Sequence, residues 1–226
     1  MRVLAIGDVH GCFQALTTLV EAAQIAPDDL IVMLGDYVDR GPNSRGVLDW
    51  LIERVEQGSA IALRGNHELM MLQARLDPLW RADWLAFGGD ATLASYGSPE
   101  APATLDDVPA RHWKFLENGC RDYFETETHF FVHAGADPDL SMEEQPEYQL
   151  FWEKFHEPPP HRSGKVMVCG HTSQKSGRPL NLGHAICIDT RAFGGGWLTC
   201  LDVACGRYWQ ANEKGEARED WLSDCD

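Results

Sequence analysis

The first third of the chain alternates short apolar runs with amphipathic stretches. Val3-Leu4-Ala5-Ile6, Leu30-Ile31-Val32-Met33-Leu34 and Ser59-Ala60-Ile61-Ala62-Leu63 have strand length and are nearly all apolar. That is the pattern of strands buried on both faces of a parallel sheet. Between them, Phe13, Leu16, Leu19, Val20 and Ala23 recur at helical spacing and predict an amphipathic helix over 12–24. Val47, Leu48, Leu51, Ile52 and Val55 predict a second, opened by Gly41-Pro42-Asn43-Ser44 and closed by Gly58. The order β-α-β-α-β specifies a parallel sheet with right-handed crossovers.

A third helix, rich in Leu and Met, begins directly after Arg64-Gly65-Asn66-His67-Glu68. Across 76–120, Trp80, Trp84, Leu85 and Phe87 predict a helix that Gly88-Gly89 breaks, and Asp106-Asp107-Val108-Pro109 opens another reaching about Glu117. This region is expected to form a cap. The second half reads as strands at 123–125, 129–132, 165–169 and 184–188, with a closing hairpin from 194–203 and 206–210. Pro158-Pro159-Pro160 is a rigid polyproline turn. From Asn212 onward the chain is polar and acidic, predicting one domain over 1–211 and a loosely held tail over 212–226.

Composition narrows the class. With 226 residues and 44% hydrophobic content, one well-filled core is favoured over two. A net charge of −16 argues against nucleic-acid binding, which relies on Lys and Arg to neutralise phosphates. No apolar run is long enough for a membrane span, and Met1-Arg2 leads straight into the first strand without a signal peptide. Seven cysteines without metal-finger spacing fit a reducing cytoplasm, with Cys169 and Cys187 packed in apolar runs.

The chemistry gathers at strand ends. Gly7-Asp8-Val9-His10-Gly11 follows the first strand and Gly35-Asp36-Tyr37-Val38-Asp39-Arg40-Gly41 the second. Ligands of open α/β sheets lie at the carboxyl ends of strands. Arg64-Gly65-Asn66-His67-Glu68, His133-Ala134-Gly135 and Gly170-His171-Thr172 follow three further apolar runs. Carboxylate, amide and imidazole without thiolate are the donors of a hard-to-borderline divalent cation. Two such loops suggest two cations, and two metals roughly 3.5–4 Å apart can bind a phosphoryl group and activate water. The set carries the argument, since any one of these motifs alone would be weak.

Together, Gly-Asp-Val-His-Gly, Gly-Asp-Tyr-Val-Asp-Arg-Gly, Arg-Gly-Asn-His-Glu, His-Ala-Gly and Gly-His-Thr resemble the PPP-type metallophosphatases. They are most similar to the small bacterial and phage-type serine/threonine protein phosphatases and their diadenosine tetraphosphatase relatives. Trp84, Gly88-Gly89, Thr92-Leu93, Tyr96-Gly97 and Ile188-Asp189-Thr190 are similar to the bacterial branch, and the resemblance runs from residue 1 to about 205. It implies a metallophosphoesterase fold: a four-layer α/β/β/α sandwich of two mixed sheets flanked by helices. It implies that Asp8 and His10 hold one metal, Asp36 bridges, and Asn66, His133 and His171 hold the second. His67 would be the general acid, oriented by Asp39, and Arg40 would grip the substrate phosphate beside Asn66. The metals would be manganese, with iron, zinc or cobalt compatible with the same donors.

The implied reaction is in-line attack on phosphorus by a metal-activated hydroxide. The implied enzyme is a cytoplasmic phosphoric monoester hydrolase, a serine/threonine protein phosphatase with a phosphoprotein or small phosphoester substrate. The alternative is hydrolysis of dinucleoside polyphosphates, for which cations around 76–120 and 139–164 are sparse. A metal-binding scaffold without catalysis would be expected to lack a ligand or the general acid, and none is missing. Two departures stand out. Lys154 occupies the place of a family arginine that clamps phosphate, with Arg162 and Lys175 as substitutes, and Arg191 replaces a glycine. His129 and His184 belong to no motif and are expected to be structural.

Overall fold

Strands β1 (Val3–Ile6), β2 (Leu30–Met33) and β3 (Ala60–Ala62) pair in parallel, as the apolar runs predict. The structure, a computed structural model, describes residues 1–223. Helix α1 (Phe13–Ala22) and helix α2 (Ser44–Glu56) make the crossovers; Asn43 caps α2 by accepting from the Gly46 amide. Helix α3 (Asn66–Leu76) follows β3, then come α4 (Pro78–Trp84), a segment over Leu85–Gly89 kinked at Gly88, α5 (Asp90–Ala94) and α6 (Ala110–Asn118). Strands β4 (Tyr123–Glu125) and β5 (His129–Val132), helix α7 (Glu147–Phe151) and strands β6 (Val166–Cys169), β7 (Leu180–Asn181) and β8 (Ala185–Cys187) continue the chain. Strands β9 (Leu198–Asp202), β10 (Arg207–Ala211) and β11 (Ala217–Trp221) close it.

Two mixed sheets result, ordered β11-β10-β9-β1-β2-β3 and β4-β5-β6-β8-β7. The alternation of side chains along a strand explains how they stack. Ala5 and Val32 meet Phe131, Val168 and Ile186 in a core between the sheets. Their neighbours Leu4, Ile6, Ile31 and Met33 point the other way, into the larger core beneath α1 and α2. On the far side of the second sheet, Phe130, Val132 and Met167 pack on Leu150 and Phe151 of α7. The four-layer α/β/β/α arrangement is therefore built from period-two alternation on strands that read as continuously apolar, because both faces are covered. Cys169 and Cys187 are buried and free.

Two expectations need correction. Residues 212–223 are not a loose tail. Ala217–Trp221 pairs antiparallel with β10, from Ala211↔Ala217 to Arg207↔Trp221, and Glu213 accepts from the Ala15 amide at 2.7 Å. Every residue of β11 is exposed, so no apolar alternation marks it as a strand. The rest of the expected tail, 224–226, lies outside the described residues. Nor does 76–120 act as one cap. Only its first part reaches the strand ends, while α6 turns away because Trp113, Phe115 and Leu116 are buried in the core shared with α2 and α3.

The fold is pinned at its start by Asp29. This nearly buried carboxylate accepts from the Arg2 amide at 3.0 Å, Arg2 Nε at 3.1 Å and the Ala26 amide at 2.9 Å. The Arg2 guanidinium holds its pKa well below the usual carboxylate range. Because the folded value is depressed, the stabilisation is complete above the unfolded pKa of about 3.9 and fades as pH falls below it. Asp29→Asn should therefore cost about 1–3 kcal/mol in urea unfolding at pH 7, and the gap to wild type should narrow at pH 3. A gap that stays constant with pH would rule out this ion pair as its source.

Candidate metal centre

Five strand ends converge on one groove. The loop after β1 brings Asp8 and His10, the loop after β2 brings Asp36, Asp39 and Arg40, and α3 begins with Asn66 and His67. His133 follows β5 and His171 follows β6. All are buried except Arg40, which is exposed, and His171, which is half-buried. His10, Asp36, Asp39, Arg40 and His171 all have left-handed backbone, with φ of 44°, 52°, 72°, 70° and 60°. Side chains rarely adopt that region, and such residues gather where a loop must aim its side chains.

Glu68 holds the Asp36 loop in that shape. Its carboxylate accepts from the amides of Asp36 (2.8 Å), Tyr37 (2.8 Å) and Gly65 (2.9 Å). Gly65 is required here, since a Cβ would strike Asp36 Oδ1 and the Asp36 amide. Burial and the nearby Asp36 push the Glu68 pKa up to about 7, against the amides of Tyr37 and Gly65, which lower it.

The imidazoles are oriented by backbone. His10 Nδ1 donates to the Val38 carbonyl (2.9 Å) and His133 Nδ1 to the Leu34 carbonyl (2.8 Å). Each thus turns an unprotonated Nε2 towards Asp36. His10 Nε2 lies 3.3 Å from Asp36 Oδ2, and His133 Nε2 lies 3.4 Å from Asp36 Oδ1 and 3.0 Å from Asn66 Oδ1. His171 Nδ1 also lies 3.0 Å from Asn66 Oδ1, with Nε2 3.2 Å from the Trp152 carbonyl. Lone pairs of His133, Asn66 and Asp36 therefore face one another with no hydrogen to share. A divalent cation fits that arrangement, because it supplies the missing positive charge.

Protonation states agree. Burial pushes His10 and His133 down, and burial with His133 pushes His171 down to about 3. Burial opposes charge on Asp36, but His133, His67, His10 and His171 outweigh it and hold its pKa low. Each shift is in the direction that favours the deprotonated form ligation needs. Among the described residues, donor atoms lie within 4.8 Å of one another in each of two groups: Asp36 with His133 and His171, and Asp36 with His10 and His67. Asp36 belongs to both.

Asp8 stands apart from these groups. Both its oxygens accept from the His171 amide, at 3.1 and 3.0 Å, and Gly170 leaves room for them. Burial, Asp189 and Asp36 push its pKa well up. The second group includes His67. His67 Nδ1 is 2.7 Å from Asp39 Oδ2. Burial opposes charge on His67, yet Asp36 and Asp39 outweigh it and hold its pKa above the ordinary imidazole value.

Asp39 is itself fixed. Trp84 Nε1 donates to it at 3.0 Å and Thr92 Oγ1 at 2.8 Å. Gly88, at φ 107°, lets the chain pass against Arg40, whose amide donates to the Gly88 carbonyl at 3.0 Å. This is how residues 84–92 reach the site. Arg40 makes no ion pair with Asp39 or Glu68 among the described residues; its guanidinium lies 4.5 Å over the Phe193 ring, and Nη1 is 2.8 Å from His10 Nε2.

The groove above Asp36 has a volume of about 240 Å³ and is lined by Arg40, Asn66, His67, Lys154 and His171. Lys154 reaches it, with Nζ 3.1 Å from His171 Nε2. Arg162 instead donates to the Asp139 carbonyl, and neither Lys175 nor Arg191 lines the groove. His184 bonds the Pro158 carbonyl and His129 the Thr128 hydroxyl, as structural residues do. Glu68 and Phe193 had no assigned role in the sequence. Glu68 was legible as the last residue of its motif, whereas nothing local marks Phe193.

Residues 1–188 match the family model described as calcineurin-like phosphoesterase. A protein named Serine/threonine-protein phosphatase 1, from Salmonella typhimurium, is 33% identical over 213 residues, covering 89% of this chain and 92% of that one. A symmetrical bis(5'-nucleosyl)-tetraphosphatase from Stutzerimonas stutzeri is 31% identical over 147 residues, covering 63% of this chain and 47% of its own, so this chain spans about half its length. Among solved structures, the cold-active protein-tyrosine phosphatase of a psychrophilic Shewanella covers 96% of this chain and 80% of its own, with TM-score 0.68 at 20% identity, a likeness of fold.

Proposed function

The chain belongs to the calcineurin-like phosphoesterase family, and within it we propose a phosphoric monoester hydrolase acting on phosphoserine and phosphothreonine in proteins. One observation carries the choice of substrate. The groove over Asp36 offers two cationic side chains, Arg40 and Lys154, which is enough for one phosphate. A dinucleoside tetraphosphate brings several phosphates to a chain of net charge −16, and would need more cations than these.

Asp8, His10, Asp36, Asn66, His133 and His171 would hold two divalent cations. When bound, these cations, manganese by preference, supply positive charge for the phosphoryl oxygens and make water a stronger acid. The chain's own residues do the rest. Arg40 binds the phosphate with its planar fork, flattened over Phe193. Lys154 adds a point charge across the groove. His67, with Nδ1 engaged by Asp39, gives the proton on Nε2 to the leaving oxygen. Trp84 and Thr92 keep Asp39 in place for that.

Hydrolysis of dinucleoside polyphosphates is the second reading, favoured by the exposed aromatic rings beside the groove. The two separate in a comparison of kcat/KM on a phosphothreonine peptide and on diadenosine tetraphosphate with manganese present. The peptide is expected to be preferred. A strong preference for the dinucleotide would overturn this assignment, and turnover of neither would return the chain to a metal-binding role.

A further inference from the structure

Beside the groove lies a second cleft of about 370 Å³, lined by Met70, Gln73, Trp80, Asp83, Phe87 and Trp152 over the buried Trp84. Met70, Phe87 and Trp152 line both, so the two are continuous. Of the rest, Trp84 holds Asp39, and the metal centre uses none of Gln73, Trp80 and Asp83. Trp80, Phe87 and Trp152 are 48%, 56% and 38% exposed, unusual for rings of this size on the surface of a single chain. Asp83 is exposed and, among the described residues, is the one charged side chain of the cleft.

We infer that this cleft selects substrates carrying an arginine close to the phosphorylated residue, a reading that rests on the phosphoprotein assignment above. A guanidinium is planar and weakly hydrated, so it stacks on aromatic faces while its fork meets a carboxylate. Trp80, Phe87 and Trp152 supply the faces and Asp83 the carboxylate. Charge complementarity decides against a nucleobase. A base would stack equally well, but it arrives with phosphates, which Asp83 and the chain's net charge of −16 repel. An arginine is drawn by both. Residues advance roughly 3.3–3.6 Å each in an extended peptide, so a side chain two or three positions from the phosphate can enter an adjoining cleft. Lysine should be a poorer occupant, since it lacks the flat face.

The test is a set of phosphothreonine peptides with Arg, Lys, Ala or Glu placed in turn at each of the flanking positions. They are assayed as kcat/KM, and as affinity of the matching phosphonate peptides, on wild type, Asp83→Lys and Trp80→Ala. Wild type should prefer Arg over Ala by about tenfold at one position. Asp83→Lys should prefer Glu there, and Trp80→Ala should narrow the Arg-to-Lys ratio. Equal use of Arg, Ala and Glu peptides by wild type overturns the inference and leaves the phosphoprotein assignment standing. So does an Arg preference that survives Asp83→Lys. Cleavage of diadenosine tetraphosphate with no peptide turned over overturns the assignment itself.

Discussion

Asp36→Asn should lower kcat by about a thousandfold or more, because transition-state charge stabilisation by metal ions is worth several kcal/mol. Asp36 is the residue shared by both groups of donors, with one oxygen 3.3 Å from His10 and the other 3.4 Å from His133. An amide in its place keeps one oxygen and turns an N–H2 towards an imidazole lone pair. That pairing satisfies the apo protein better than two facing lone pairs do. The substituted chain should therefore melt no lower than wild type without metal, while manganese raises its melting temperature less. Elemental analysis after dialysis should find fewer than two equivalents bound. A variant that keeps both metals and wild-type kcat would remove Asp36 from the centre.

His67→Asn should reduce turnover of alkyl phosphoesters such as phosphothreonine by about 10²–10⁴, the range for a lost general acid. The loss should be much smaller for p-nitrophenyl phosphate, whose leaving group departs without a proton. The comparison also addresses the one place where two roles meet. His67 lies among the donors with His10 and Asp36, yet its Nδ1 is held by Asp39. A proton donor leaves metal content unchanged when removed; a ligand does not. Equal losses on both substrates, or loss of a metal equivalent, would move His67 from acid to ligand.

Much of this was legible in the sequence because the site is assembled from strand ends. Each apolar run announced a strand, and the polar residues after it had to emerge at one edge of a sheet. Asp36, Asn66, His133 and His171 fall together for that reason. The partners that orient them were less legible. The carbonyls of Val38 and Leu34 leave no trace in side-chain pattern, and Phe193 arrives from a turn some 150 residues away from Arg40 in sequence. Asp8 shows the opposite limit. Its motif put it at the right strand end, but a contact with the amide of His171, 163 residues away, leaves no trace in local pattern. Amphipathic pattern likewise found α6 without saying which surface it would cover, and the split of 76–120 follows from where Trp113 and Leu116 are buried.

The closing strand has a consequence for the life of the protein in a crowded solution. Without β11, the paired edge of β10 would present free amides and carbonyls alongside Tyr208 and Trp209, an invitation to a strand from another molecule. β11 occupies that edge with the exposed, charged residues Arg218, Glu219 and Asp220, which discourage further pairing. A polar, acidic ending that reads as expendable is thus a guard against aggregation, and a chain shortened to residue 211 would be expected to self-associate.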